Sequence, residues 1–182
     1  MERYTIAIVT GAPGAGKSTT LAALLALKSG YMAFDMDWLV ETASTLAGRD
    51  IRFEPATWQP YNALWFAILH AICANHQQPV LFAPLDQNDI ANLGQPAWCA
   101  AIRWLLLDCD DGLRRHRLAQ RPDWTPAMIE DAITDAHVLR QTVTERLDTG
   151  ILQPNAVARA IVKWVRAYPF NPVMLMPSMK LR

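Results

Sequence analysis

One eight-residue segment constrains the fold of this chain more than any other feature. Gly11-Ala12-Pro13-Gly14-Ala15-Gly16-Lys17-Ser18 matches the pattern G-x-x-x-x-G-K-[ST] at every defined position. The apolar, largely β-branched residues 6–9 come directly before it, and residues 19–28, rich in leucine and alanine, follow. We therefore predict a buried parallel strand, a glycine-rich turn and a helix in immediate succession.

A turn of this kind can hold phosphate groups. Its glycines allow successive backbone N–H groups to point inward, and the helix N-terminus adds partial positive charge. Lys17 could then reach the β- and γ-phosphates, and the Ser18 hydroxyl could face Mg²⁺. The candidate nucleotide-binding residues are Gly11, Ala12, Pro13, Gly14, Ala15, Gly16, Lys17, Ser18 and Thr19. The competing interpretation is a strand–helix turn with an incidental lysine.

Composition excludes several classes of protein. The chain has 182 residues, of which 52% are hydrophobic, and its formal net charge is zero. It is therefore apolar enough for one folded domain, and it lacks the basic excess typical of proteins that bind nucleic acid or anionic membranes. No apolar stretch approaches the roughly 18 residues that a membrane span needs. Three scattered cysteines without a C-x-x-C unit, and no signal-peptide pattern at the N-terminus, favour a cytoplasmic protein.

Strand and helix patterns alternate along the chain. Further strands are predicted at residues 31–34, 79–83 and 103–107, and further helices at 60–75, 125–142 and 155–167. This alternation favours an α/β protein whose parallel sheet is covered on both faces. The segment 169–182 carries three prolines and is left unassigned. The guanine-reading sequence N-K-x-D is absent, which disfavours a GTPase.

The glycine-rich loop, Asp35-Met36-Asp37 after the second strand and the arginine-rich helix after the fourth together resemble the small P-loop kinases. That group includes shikimate, gluconate and nucleoside-monophosphate kinases, and the resemblance covers residues 4–164. It implies a three-layer P-loop NTPase fold with a five-stranded parallel sheet in the order 2-3-1-4-5. It also implies one domain over 1–182, with an acceptor-binding region at about 39–75 and a short lid at about 117–127.

Asp35 and Asp37 are the candidate carboxylates. Residues two apart at a strand end point to the same side, and in a parallel sheet that end faces the ligand crevice. Two carboxylates there are costly unless a cation or a substrate hydroxyl engages them. The resemblance implies that Asp35 lies near Mg²⁺ and that Asp37 orients the acceptor hydroxyl or acts as its base. The alternative is that Asp37 caps the helix that follows.

Arg114, Arg117 and Arg121 recur at i, i+3 and i+7 and so share one helix face. A solvated helix stripe is the usual explanation of such spacing. The resemblance instead implies that Arg117 stacks on adenine and that Arg121 contacts the phosphates during catalysis, tasks that suit a planar guanidinium. It also places the backbone around Pro154 over the adenine.

Other charged residues give weaker signals. Asp108 ends an apolar strand in the manner of a metal-binding Walker B aspartate, although in the resembling kinases this strand does not bind the metal. Asp86 follows the third strand and is either near the γ-phosphate or a loop or cap residue. Arg49 and Arg52 lie where an anionic acceptor would bind.

We expect a kinase that uses Mg·ATP to phosphorylate a small-molecule acceptor. The alternatives are a nucleotide-binding module or weak ATPase without an acceptor, and an RNA- or DNA-end kinase, which zero net charge disfavours. The aromatic side chains in the acceptor region favour a nucleoside or nucleotide over a sugar or sugar acid, unless they belong to the core. These are Phe53, Trp58, Tyr61 and Trp65.

Overall fold

The computed structural model describes residues 2–168 and residue 170. Its strands are β1 (Tyr4–Thr10), β2 (Met32–Asp35), β3 (Pro79–Phe82), β4 (Cys99–Asp108) and β5 (Arg146–Asp148). Its helices are α1 (Lys17–Ala26), α2 (Val40–Ala47), α3 (Trp58–Ala74), α4 (Gln87–Leu93), α5 (Asp111–Ala119), α6 (Pro126–Thr142) and α7 (Pro154–Arg166). Short 3₁₀ turns occupy Met36–Leu39, Ile51–Phe53 and Pro55–Thr57. Apart from Phe170, whose ring stacks on Tyr4 at 5.5 Å, the unassigned segment 169–182 lies outside the described residues.

The five strands form one sheet in the order β2-β3-β1-β4-β5, and every neighbouring pair is parallel. This confirms the predicted strand order. β1 is central, since Val9 pairs with Phe82 of β3 on one side and with Leu105 of β4 on the other. Because all strands run in one direction, their carboxyl ends meet at a single edge, where a ligand crevice forms in such sheets.

Side chains of β1 alternate between two cores, as the period of a strand requires. Ile6 and Ile8 point to one face and pack in a cluster with Trp65 and Leu69 of α3. Ala7 and Val9 point to the other face, where the cluster includes residues of α1 and α7: Leu21, Leu24, Val157, Ala158, Ile161 and Val165. The sheet is thus sandwiched between helical layers, in agreement with the predicted three-layer fold.

Several element boundaries differ from prediction for local reasons. α1 begins at Lys17 rather than residue 19, directly after Gly16, whose φ of 85° ends the loop in a left-handed conformation. β4 extends back to Cys99 because its first residues pair with β1. α2, α4 and β5 had no assigned pattern, and β5 has only three residues, none of them fully buried. Within the described part of the chain, no helix is both long and apolar enough to cross a membrane.

Candidate active site

The glycine-rich loop links β1 to α1 at the carboxyl edge of the sheet, as predicted. A side-chain carbon at Gly11 would lie 2.6 Å from the backbone oxygen of Leu107 in β4, so only glycine fits there. Ala12 and Ala15 are buried, Pro13 is half-buried, and Ser18 and Thr19 are exposed at the start of α1. The loop therefore packs against β4, whereas the side that carries Ser18 and Thr19 is exposed.

Arg114 lies directly beneath this loop and is completely buried. Its Nη1 donates to the carbonyl oxygens of Pro13 at 2.6 Å and Ala12 at 3.3 Å, and its Nη2 donates to Asp108 Oδ1 at 2.7 Å. The solvated stripe, one of the two explanations of the arginine spacing, therefore does not apply to Arg114. Its spacing with Arg117 reflects a shared orientation toward the loop rather than toward solvent.

Asp108 is engaged by two guanidinium groups. Besides Arg114, Arg140 of α6 donates from Nε to Asp108 Oδ2 at 2.7 Å. Both carboxylate oxygens thus belong to a buried ion-pair network, and Asp108 serves to hold Arg114 in place. The Walker B-like pattern at the end of β4 has this structural explanation, and sequence reasoning gave no role to Arg140.

Thr149, just after β5, joins the loop to the far edge of the sheet. Its Oγ1 lies 2.9 Å from the carbonyl oxygen of Ala15 and 3.1 Å from that of Asp108. Arg117 donates from Nη1 to Gly14 O and to Thr149 Oγ1, each at 3.1 Å, and from Nη2 to Thr149 O at 2.9 Å. The Thr149 role could not be predicted, because it depends on a contact between residues 134 positions apart.

A cavity of about 300 Å³ opens beside the loop. It brings together six predicted nucleotide-site residues: Gly14, Gly16, Thr19, Arg117, Arg121 and Pro154. Five residues without a predicted role complete its lining: Thr20, Gln120, Thr149, Leu152 and Val157. Arg121 is exposed, and its guanidinium carbon lies 5.6 Å from the centre of the Trp124 ring.

Lys17 is half-buried, and its Nζ donates to the carbonyl oxygen of Gly11. Burial lowers the pKa of Lys17 to about 8, with further lowering from Arg114 and Arg121. The negative charges of Asp37 and Asp35 act in the opposite direction. The ammonium group therefore stands in a poorly solvated position where an anionic ligand would favour its charged form.

The two aspartates after β2 have different environments. Asp35 is buried, and its Oδ1 accepts a hydrogen bond from the backbone N–H of Asp37 at 3.1 Å, so Asp35 caps the 3₁₀ turn. The alternative in which Asp37 is the capping residue is therefore wrong. Within the described residues the Asp37 carboxylate has no hydrogen bond or ion pair. Desolvation and then Asp35 raise the pKa of Asp37, and Lys17 and Arg52 lower it.

A second cavity, of about 430 Å³, lies on the Asp37 side of the loop. Part of its lining comes from the predicted acceptor region, and part from residues outside that region: Met36, Asp37, Pro84, Leu85, Asp89 and Asp135. Of the aromatic candidates, Trp58 and Tyr61 line it, whereas Phe53 is 80% exposed and Trp65 is buried in the core.

The remaining candidates have local structural roles. Asp86 caps α4, since its carboxylate accepts from the backbone N–H groups of Asn88 and Asp89. Arg49 pairs with Glu54 at 3.8 Å.

The predicted lid, residues 117–127, comprises the end of α5, a turn and the first residues of α6.

The donor chemistry at the loop suits Mg²⁺. Ser18 offers a hydroxyl oxygen, and Asp35 retains one carboxylate oxygen, Oδ2, without a hydrogen bond among the described residues. The described part of the chain contains no group of three or more His, Cys, Asp or Glu residues arranged to hold a metal by themselves. Mg²⁺ in phosphoryl-transfer sites is held by one or two protein oxygens together with phosphate oxygens, which agrees with this sparse set.

A family model described as shikimate kinase matches residues 13–165 of the chain. The match begins inside the glycine-rich loop and ends near the end of α7. No curated protein shows significant sequence similarity to the chain.

Solved structures of kinases share the fold. An unliganded sugar kinase from Janibacter sp. HTCC2649 superposes with a TM-score of 0.65 at 16% identity, over 92% of this chain and 96% of its own. A gluconokinase from Sinorhizobium meliloti 1021 gives 0.57 at 19% identity, over 88% and 93%. A shikimate kinase from Acinetobacter baumannii, in complex with shikimate, gives 0.58 at 16% identity, over 91% and 94%. At these identities the likeness establishes the fold alone.

Proposed function

Because the chain belongs to the shikimate kinase family of P-loop small-molecule kinases, we propose that it transfers the γ-phosphoryl group of ATP to a hydroxyl of a small acceptor. The cavity beside the phosphate-binding loop would hold ATP, and the cavity lined by Asp37 would hold the acceptor. Phosphoryl transfer needs chiefly positioning and charge stabilisation, which such a pair of sites can supply.

The electrostatic coupling of Lys17 and Asp37 carries this proposal. Asp37 lines the second cavity, of about 430 Å³, which we call the acceptor-side cavity. The negative charge of Asp37 acts on Lys17 of the phosphate-binding loop. A group that could bind phosphate and a group that could engage a hydroxyl are therefore near enough for their charges to interact. That is the juxtaposition a transfer between two substrates requires.

On the nucleotide side, the loop residues 11–18 with Thr19 would bind the phosphates of ATP. Arg117, beside Gly14 and Thr149, would pack against the adenine, and Pro154 at the start of α7 would border it. Arg121, exposed at the cavity, would reach the transferred phosphoryl group as the predicted lid, residues 117–127, closes. Lys17 would neutralise charge on the same group.

Ser18 and Asp35 would hold Mg²⁺, which when bound neutralises charge on the β- and γ-phosphate oxygens. On the acceptor side, Asp37 would orient the attacking hydroxyl. The hydroxyl oxygen forms a bond to the γ-phosphorus, the bond from that phosphorus to the β–γ bridging oxygen breaks, and ADP leaves. The raised pKa of Asp37 suits a carboxylate that accepts the hydroxyl proton as the ester forms.

The acceptor is proposed to be a small hydroxylated molecule bound by residues 39–75 together with cavity-lining residues from the segment after β3, from α4 and from α6. The kinases of similar structure are described as acting on a sugar, gluconate and shikimate, so the predicted preference for a nucleoside or nucleotide has no support from them. We also propose that residues 1–182 form one catalytic domain. A cytoplasmic location is proposed because all three cysteines are free and buried.

The test is ADP release by the purified protein with Mg·ATP, with and without a panel of hydroxylated acceptors. A kinase of this kind releases ADP only when an acceptor is present, and Lys17→Ala abolishes that release while the fold persists. Slow hydrolysis that no acceptor accelerates would instead support a nucleotide-binding module or weak ATPase.

A further inference from the structure

Negative charge predominates on the wall of the acceptor-side cavity. The lining residues that are charged at neutral pH are the three aspartates Asp37, Asp89 and Asp135 and a single arginine, Arg52. They come from separate elements: the turn after β2, α4, α6 and the turn at Ile51–Phe53. Asp37, the proposed partner of the acceptor hydroxyl, lines this cavity, so the charges of the other lining residues bear on which acceptor it selects.

Arg52 is already neutralised by carboxylates outside the cavity. Its Nη2 donates to Glu41 Oε1, and its Nε lies 3.5 Å from Asp50 Oδ1. These two contacts offset part of the positive charge of Arg52, and its Nη1 makes no hydrogen bond among the described residues. The arginine at the cavity mouth therefore adds little net attraction for an anion.

The longest element of the wall supplies no cation either. α3 contains no Asp, Glu, Lys or Arg between Trp58 and Ala74. The nearest other cations, Lys17 and Arg114, are directed to the loop carbonyls, and Arg114 is fully buried. An anionic acceptor would thus enter a cavity in which three carboxylates face one guanidinium that is already paired in part with Glu41 and Asp50.

Asp135, like Asp37, has an unengaged carboxylate in the described part of the chain. Within the described residues it makes no hydrogen bond or ion pair, whereas Asp89 accepts from the backbone N–H of Asp86 at 2.8 Å. Burial and the neighbouring Asp131 raise the pKa of Asp135, with Arg114 and Lys17 opposing. A positively charged ligand group near Asp135 would stabilise its ionised form.

Two aromatic rings beside these carboxylates also suit a cation. Trp58 is fixed by a hydrogen bond from Nε1 to the carbonyl oxygen of Ile51 at 3.0 Å, and Tyr61 by one from its hydroxyl to the carbonyl oxygen of Met36. Both rings line the cavity. Aromatic faces attract ammonium groups, and they also pack against the C–H faces of sugar and cyclitol rings.

We infer that the acceptor is a hydroxylated ring that carries a protonated amine, such as an amino sugar or an aminocyclitol. Its hydroxyl lies at Asp37, and its ammonium group lies against Asp135 and Asp89. This inference rests on the proposed function, which it narrows from any small hydroxylated acceptor to a cationic one.

The test compares acceptors that differ in charge on matched rings. At pH 7, with Mg·ATP, one set is glucosamine, glucose and glucuronate, and the other is 2-deoxystreptamine, myo-inositol and shikimate. We expect the amine of at least one set to exceed its neutral and anionic counterparts by about tenfold or more in kcat/KM for ADP release.

Asp135→Asn should reduce that preference to about twofold, and Asp135→Lys should shift it toward the carboxylate of the same set. The matched control is Asp131→Asn, one turn earlier on α6 and outside the cavity lining, which should keep the wild-type preference. The dissociation constant of Mg·ADP, measured on each variant, verifies that the fold and the nucleotide site persist.

Two results would overturn the inference, and they are distinguishable. If the neutral or anionic ring is the best acceptor in both sets, the kinase function stands and the cationic acceptor is wrong. If Mg·ADP binds but no ring of any charge accelerates ADP release, the proposed transfer to a small hydroxylated acceptor fails as well.

Discussion

Arg114 and Asp108 form a buried ion pair immediately under the phosphate-binding loop, with Nη2 and Oδ1 2.7 Å apart. The same guanidinium holds the carbonyl oxygens of Ala12 and Pro13. Charge balance within the protein and the shape of the ligand-facing loop therefore depend on one side chain. This coupling makes the pair a sensitive point for both stability and binding.

Asp108→Asn should lower the free energy of unfolding by about 3–5 kcal/mol, because it leaves the buried Arg114 without its countercharge. Urea denaturation measures this loss. The control is Glu130→Gln, which removes the exposed ion pair between Glu130 and Arg115, the residue after Arg114. This variant should lower the free energy of unfolding by no more than about 1 kcal/mol. Equal losses in the two variants would show that the buried pair contributes no more than an exposed one.

Thr149→Val should weaken Mg·ADP binding about fivefold, because it removes the hydroxyl that links Ala15, Arg117 and the end of β4, a loss of about 1 kcal/mol. Titration calorimetry gives the dissociation constant. Thr142→Val serves as control, since that hydroxyl contacts only carbonyl oxygens of its own helix. An unchanged constant for Thr149→Val would contradict the assigned role.

The affinity for Mg·ADP should fall as the pH rises through the pKa of Lys17, about 8. Below that pH the ammonium group is charged before the nucleotide arrives, whereas above it binding requires the uptake of a proton. The dissociation constant should therefore increase about tenfold between pH 7 and pH 9. Lys17→Arg stays charged throughout, so a slope that persists in this variant would assign the effect to another group.

Asp37→Asn and Asp35→Asn should separate the two carboxylates after β2. Loss of the Asp37 carboxylate should reduce kcat by about a hundredfold or more with little change in the KM for Mg·ATP. Loss of the Asp35 carboxylate should instead raise the Mg²⁺ concentration required for half-maximal activity. Interchanged effects would exchange the two roles, and two silent variants would remove both residues from the site.

The sequence predicted the parts of the fold that depend on contiguous patterns. The apolar run of β1, the glycine-rich loop and the leucine-rich α1 are each encoded by neighbouring residues, and the resemblance supplied the order of the strands. β5 was not located, because a strand of three residues carries no periodic signal and acquires its geometry only by pairing with β4.

Site residues, like strands and helices, were predictable only where a contiguous sequence pattern marks them. Lys17 and Asp37 stand in or near recognisable motifs, whereas Asp135 and Thr149 reach the cavities only through tertiary packing. Arg114 received no role from the sequence, because helical spacing reports which residues share a face but not what that face covers. Only the position of α5 against the loop decides that this arginine is buried.

The contacts that complete the phosphate-binding loop have a consequence for the order in which this protein acquires its binding capacity during synthesis. Arg114 stabilises carbonyl groups 101 and 102 positions earlier in the chain, and Thr149 one that lies 134 positions earlier. A nascent chain that has emerged only through α4 therefore contains the whole motif but not its supports. Nucleotide binding should arise late in translation, after β5 has left the ribosome, even though the motif itself lies within the first eighteen residues.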